Sequence, residues 1–212
     1  MKTITLAFFI LLLIGCRSEP WDPVIGDFSV GDPFPADVRL DREPIQVNLD
    51  SPPAPFSFQG YSLYPVARYD MAVRVLSRHR YTRDASSEVS PIDLAVAWGV
   101  KADPAVTEAL RVRQWSRFYR WEMDYDDLDA LGMSPRELGD LSANVHMIPA
   151  NDDIRRRLHR IRRDDTVKLG GYLVNVDFGN GWWRTSLTRT DRGPGACEIL
   201  LVTRLKKIPD NL

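Results

Sequence analysis

Reactive and metal-binding side chains are scarce in this chain. Its 212 residues include two cysteines and three histidines, too few for a disulfide framework or a zinc cluster. No Gly-rich phosphate loop, Cys-x-x-Cys pair, His-Glu-x-x-His or Gly-x-Ser-x-Gly occurs. Nucleotide hydrolysis on a P-loop, zinc proteolysis and α/β-hydrolase chemistry therefore have no motif to stand on, and neither a metal nor a cofactor is expected. Neither sign of charge dominates, with 28 Lys and Arg against 29 Asp and Glu. A nucleic-acid binder shows a basic excess, so nucleic acid is not an expected partner. Repeats, low-complexity tracts and a second long apolar run are also missing.

What is present begins with a leader. Lys2 precedes an apolar run from Ile4 to Ile14, broken only by Thr5 and followed by Gly15-Cys16. A basic start, a short apolar stretch and a small residue describe a secretory signal over residues 1–15. The run is too short to span a bilayer, which takes about 20 apolar residues. Leu13-Ile14-Gly15-Cys16 resembles the lipobox of bacterial lipoproteins. That resemblance implies a diacylglyceryl group on the Cys16 sulfur, cleavage after Gly15 and acylation (typically palmitate) of the new amino terminus. Several acyl chains hold a protein stably on a membrane. Arg17 stands where an aspartate would retain an enteric-type lipoprotein in the inner membrane, which implies the outer membrane, facing the periplasm. An ordinary cleaved signal with an incidental cysteine, or an uncleaved anchor, is the alternative. With Cys16 lipidated, Cys197 has no intramolecular partner.

Residues 16–60 carry eight of the 15 prolines and show no helical period, and they read as a Pro-rich periplasmic tether, although the aromatics Trp21, Phe28, Phe34, Phe56 and Phe58 suggest that part of it packs on the domain. Residues 61–212 read as one compact α+β domain, small and largely antiparallel, with a few short helices. Alternation of Tyr69, Met71, Val73 and Val75 suits a strand. Ser90-Pro91 suggests a helix over Ile92 to Val100, and Asp103-Pro104 another to Val112. Aromatics over Arg113 to Met123 suggest one strand. Ser134-Pro135-Arg136-Glu137 has the form of a capping box. Asn151 caps a helix from Asp152 to Arg163, where Ile154, Leu158 and Ile161 recur on one face. Strands follow over Thr166 to Phe178, Trp182 to Arg189 and Cys197 to Leu205. Gly170-Gly171 marks a bend in the first, and Asn180-Gly181 supplies positive φ for the turn after it. A bent strand followed by a meander suggests an OB-like barrel at the C-terminal end.

Candidate chemistry is sparse. Cys197 and His146 form a possible thiol nucleophile and base, with Asn144 or Asp191 orienting the imidazole. Against this, Cys197 shares a strand face with Ile199 and Leu201, which points to an inert buried thiol. Asn144, His146, Trp183, Arg184, Arg189 and Asp191 make a candidate polar-aromatic ligand surface; cross-strand tryptophan packing with Arg-Asp pairs is the plainer account. The run Arg155 to Arg163 holds six arginines. It reads either as a solvated face laced with ion pairs or as a contact for anionic lipid or an envelope polymer. No motif names a protein partner.

The segments Ser142 to Asn151, Trp182 to Asp191 and Gly195 to Glu198, in that order, resemble a family of bacterial envelope proteins with no established activity. The resemblance spans roughly residues 65 to 205 and implies one compact domain. The expected function is a lipid-anchored binding or assembly module on the membrane surface. An envelope enzyme using Cys197 and His146, and a structural accessory of a membrane complex, are the alternatives.

Overall fold

The structure, a computed structural model, describes residues 33–83 and 85–209. The leader, Cys16 and Arg17 lie outside the described residues. Among those described, no helix is long and apolar enough to cross a membrane.

The strands are β1 (Ile45–Asn48), β2 (Phe56–Phe58), β3 (Tyr61–Arg80), β4 (Ile92–Ala97), β5 (Arg111–Trp115), β6 (Phe118–Glu122), β7 (Ser142–Pro149), β8 (Thr166–Asp177), β9 (Trp182–Trp183) and β10 (Glu198–Ile208). The helices are α1 (Ala85–Val89), α2 (Pro104–Ala109), α3 (Tyr125–Leu131), α4 (Pro135–Gly139) and α5 (Asp152–Leu158), with a 3-10 turn at Gly99–Ala102. This is an α+β domain built on one mixed, mostly antiparallel sheet of eight strands, with β5 and β6 forming a separate two-stranded sheet.

Five of the strands close into a ring. β3 pairs with β4, β4 with β7, β7 with β10, β10 with β8, and β8 with β3 again. In chain order these are the first to fifth ring strands, and they run round it first, second, third, fifth, fourth. Only the third and fifth, β7 and β10, are parallel. That is the strand order of an OB-fold barrel, and it draws on the whole body rather than on the C-terminal end alone. All five strands and α5 contribute to a single apolar interior, which includes Tyr69, Leu94, Val145, Leu169, Leu200 and Leu158. A second cluster, with Phe58, Val174, Ile199 and Leu201, covers the outer face of β8 and β10. β10 is therefore buried on both sides, as its two-faced apolar pattern requires.

Closing the ring needs glycine where β8 crosses its neighbours. A Cβ on Gly171 would lie 1.9 Å from the Leu201 carbonyl oxygen, and one on Gly170 would lie 2.2 Å from Asp70 Oδ1. The register shifts fall on the partner strands, between Pro65 and Ala67 of β3 and between Val202 and Arg204 of β10. Pro65 thus sits at an irregularity, where its missing N–H costs no ladder bond.

Several local expectations change. Residues 33–60 are not a free tether: β1 and β2 both pair with β3, and Val38 and Phe58 are buried. Pro44 and the 52–55 prolines flank these strands rather than interrupt them, so the folded body starts upstream of Tyr61. Residues 92–97 form a strand, not a helix, with all six residues buried; tertiary pairing overrides the Ser-Pro start signal. Arg113 to Met123 is a hairpin, because Ser116 and Arg117 take positive φ of 43° and 70°. The turn places Trp115 opposite Phe118 rather than on the Tyr119–Trp121 face. α5 stops at Leu158, and Arg160 and Ile161 donate to the Arg157 and Leu158 carbonyls in a tighter turn. After β8 the positive φ is at Gly179, not at Asn180-Gly181. The returning strand β9 covers only Trp182 and Trp183.

Cap signals were legible. The Asp103 carboxylate accepts from the Ala105 amide, Ser134 and Glu137 form the reciprocal box, and Asn151 accepts from the Ile154 amide. Each such cap stabilises its helix by about 1 kcal/mol.

Candidate functional site on the barrel wall

The site lies on the outer face of β4 and β7. Strand alternation sends Val145 and Met147 inward and leaves Ser142, Asn144 and His146 outward. The same alternation turns Asp93 outward from β4, and the register sets Asp93 directly across from His146. The β5–β6 hairpin covers this face, resting Tyr119 and Trp121 on Ala95 and Ala97.

Arg117, at the hairpin tip, is the hub. Its Nη1 donates to Asp93 Oδ1 at 2.8 Å and to the Ser90 carbonyl at 2.9 Å, while Nη2 donates to Ser86 Oγ at 2.8 Å. The guanidinium lies 3.7 Å from the Tyr81 ring centroid and 5.3 Å from that of Trp183. Its main chain is engaged too, since its N–H donates to Tyr81 Oη and its carbonyl accepts from Asn144 Nδ2. His146 Nδ1 is 2.9 Å from the same Asp93 oxygen, and the imidazole packs on Trp183 at 4.6 Å between centroids.

Cys197 and His146 do not form a pair. The thiol's partners are Asn144 Nδ2 and the Arg117 carbonyl, each at 3.8 Å. Burial pushes the thiol up to about 11, so the protonated, weakly nucleophilic form prevails at neutral pH. The imidazole expected to serve as its base lies instead against Asp93 and the Trp183 ring.

A pocket of about 330 Å³ opens beside the hub, between β6, the start of β7 and the 189–198 loop. It gathers Asn144, Arg189 and Asp191 with Cys197, and leaves His146, Trp183 and Arg184 out of its walls. Arg184 instead lies 5.2 Å from the Trp182 ring. Asp191 accepts from Ser186 Oγ at 2.7 Å, and Arg189 Nε sits 3.2 Å from Glu43. Glu198, also in the wall, has its carboxyl pushed up by burial to about 7. Buried Tyr69 shares its surroundings with Glu198 and Arg189; desolvation drives the phenol well above its usual range.

Asp93, Arg117, Ser142, Tyr119, Lys101 and Glu198 were not singled out from sequence. Asp93 and Glu198 had a signal, a lone carboxylate inside or opening an apolar strand. Arg117 had none, because its place depends on a turn hidden inside an aromatic run.

The arginine run is largely committed within the fold. Arg163 donates to the Thr107 and Leu110 carbonyls, Arg157 to the Leu205 carbonyl, and Arg155 and Arg156 face Asp152 and Asp153. Beside it, Lys168 and Lys206 stand directly opposite each other across β8 and β10. Both line a second cavity with Arg157 and Arg204. Compared with protein-family models, with known proteins and with solved structures, the chain matches none.

Proposed function

We propose that this protein is a lipid-anchored binding module of the bacterial cell envelope, anchored at Cys16 and facing the periplasm from the outer membrane. Its ligand enters the pocket on the barrel wall. The observation that carries this reading is the pocket itself: about 330 Å³, the size of a small-ligand site, with a few polar groups converging on an aromatic wall. Tyr119 and Trp121 supply the wall, and Asn144, Asp191 and Arg189 supply donors and acceptors. This face and the last long loop are where OB barrels hold oligosaccharides. A saccharide unit of an envelope glycan suits the mixture of aromatic surface and fixed polar groups.

The test is a titration of the lipid-anchored protein in detergent with soluble cell-wall saccharide fragments, read by intrinsic tryptophan fluorescence. Saturable quenching that Ala196→Trp abolishes, by filling the pocket, is the expected result. No saturable change with any fragment, or the same change in Ala196→Trp, rejects the reading. Cys16→Ser should accumulate as precursor or become soluble; incorporation of labelled fatty acid into that variant rejects the anchor.

A second contact has its own observation. Lys168 and Lys206 are like charges facing across one ladder, an arrangement that destabilises a sheet unless an anion intervenes. Beside the Arg155–Arg163 segment, most of whose arginines already have partners within the fold, they make a basic edge suited to anionic lipid headgroups or an envelope polymer.

A further inference from the structure

Lys101 is fully buried, and among the described residues no carboxylate pairs with it. A buried ammonium without a counter-ion costs several kcal/mol; the fold avoids that cost by keeping the amine neutral. Burial, with the Arg192 guanidinium adding to it, brings Lys101 down from 10.5 to about 6. Its Nζ lies 2.8 Å from Ser142 Oγ and 3.8 Å from the Trp121 ring centroid. Ser142 is the first residue of β7 and lines the pocket. Tyr119 Oη stands 2.8 Å from the same Oγ, and burial pushes that phenol up to about 12, so it remains a proton donor. At rest Lys101 Nζ donates to Ser142 Oγ and the Ser142 hydroxyl donates to the Gly139 carbonyl at 3.1 Å, so the hydroxyl must rotate to turn its proton to the neutral amine; the Arg192 guanidinium is pressed against Gly139 on the pocket wall.

A hydroxyl at a pocket surface, in hydrogen-bond contact with an amine that has no other ionic partner, is the arrangement of a serine nucleophile with a lysine base. We infer that Ser142 and Lys101 form a nucleophile–base pair that hydrolyses a carboxylic ester on the ligand held in the pocket, an activity that rests on the binding reading above. Ser142 Oγ attacks the ester carbon, its proton passes to Lys101 Nζ, and negative charge gathers on the carbonyl oxygen. Arg192, on the same wall and paired there with Asp140, adds positive potential toward that charge. The carbon–oxygen bond to the alcohol breaks, and the alcohol leaves with the proton from Lys101. Water then gives a proton to Lys101 and attacks the acyl-serine. Ser142 departs, regaining that proton, and the sum is ester plus water giving acid plus alcohol.

An alkyl fluorophosphonate tests the pair: an activated serine oxygen attacks phosphorus, fluoride leaves, and the phosphonyl-serine adduct is located by peptide mass mapping. The expected result is a Ser142 adduct whose rate of formation rises as pH passes through about 6. Lys101→Met, which substitutes an apolar side chain in an apolar site and keeps the fold, should lower that rate by at least about 100-fold. Ser142→Ala should carry no adduct. Absence of a Ser142 adduct, or an unchanged rate in Lys101→Met, overturns the inference. Saccharide titration of the same samples separates the failures: quenching retained without an adduct sinks the catalytic pair alone, and loss of both sinks the pocket reading with it.

Discussion

Asp93 and His146 face each other across the β4–β7 ladder, and Arg117 arrives from a different sheet to share the same oxygen of Asp93. The contact ties the hairpin to the barrel. It also explains why polar Asn144 and His146 can sit in a strand whose every residue is buried: each faces a polar group of the hairpin tip or its anchor, not an apolar wall.

Arg117→Ala should therefore destabilise the protein by about 3–5 kcal/mol, since it leaves the fully buried Asp93 carboxylate without its main cation. Asp93→Asn, Arg117→Ala and the double variant compared by denaturant unfolding would show a double-variant cost well below the sum. Additive costs would mean the pair is not coupled.

Cys197→Ala should fold and bind as the parent does, with a loss of roughly 1 kcal/mol for a small cavity. Alkylation of the native thiol near neutral pH should be slow and accelerate as pH climbs toward about 11. Rapid labelling at neutral pH would contradict the half-buried, hydrogen-bonded thiol.

Gly171→Ala should cost more than about 3 kcal/mol, because the new Cβ would collide with the Leu201 carbonyl at 1.9 Å and the barrel would have to open there. Gly181→Ala should stay within about 0.5 kcal/mol, since nothing lies within 4 Å of its Cβ and its φ is not positive. Thermal melts of the two variants side by side would decide.

Two buried groups set opposite pH slopes. Burial raises Glu198 from 4.5 to about 7, so the folded protein keeps a proton that the unfolded chain releases. Its contribution to stability is full below 4.5 and is lost as pH rises to about 7. Lys101 is lowered from 10.5 to about 6, so its penalty is full below 6 and is relieved as pH rises toward 10.5. Glu198→Gln should flatten the first slope, and Lys101→Met should raise the melting temperature most at low pH. Unchanged slopes in both variants would refute the assignment.

If the basic edge meets an anionic surface, Arg156→Glu with Arg160→Glu should weaken retention on phosphatidylglycerol vesicles, most visibly at low salt. Equal retention at every ionic strength would leave only ion pairs within the fold.

Local signals in the sequence were sufficient for the α+β class, the long β3 strand, the three caps and the doubly apolar β10, because each rests on periodicity or on a side chain meeting its own backbone. The same local logic misread Ile92 to Ala97 as helix and residues 33–60 as tether, since both are decided by pairing with β3, far away in the chain. The candidate residues were half legible. Asn144, Arg189, Asp191 and Cys197 do share one pocket, yet the Cys197–His146 pair dissolved once Asp93 and Trp183 claimed the imidazole. Arg117, Lys101 and Ser142 were invisible, for a strand or helix signal reports only on neighbours within a few residues. Their meaning comes from a closed ring that brings a hairpin tip onto Asp93 and Asn144, and a 3-10 turn onto a strand end, within hydrogen-bond distance. Composition and periodicity set which side chains are buried; ring closure alone determined which buried groups would have to satisfy one another.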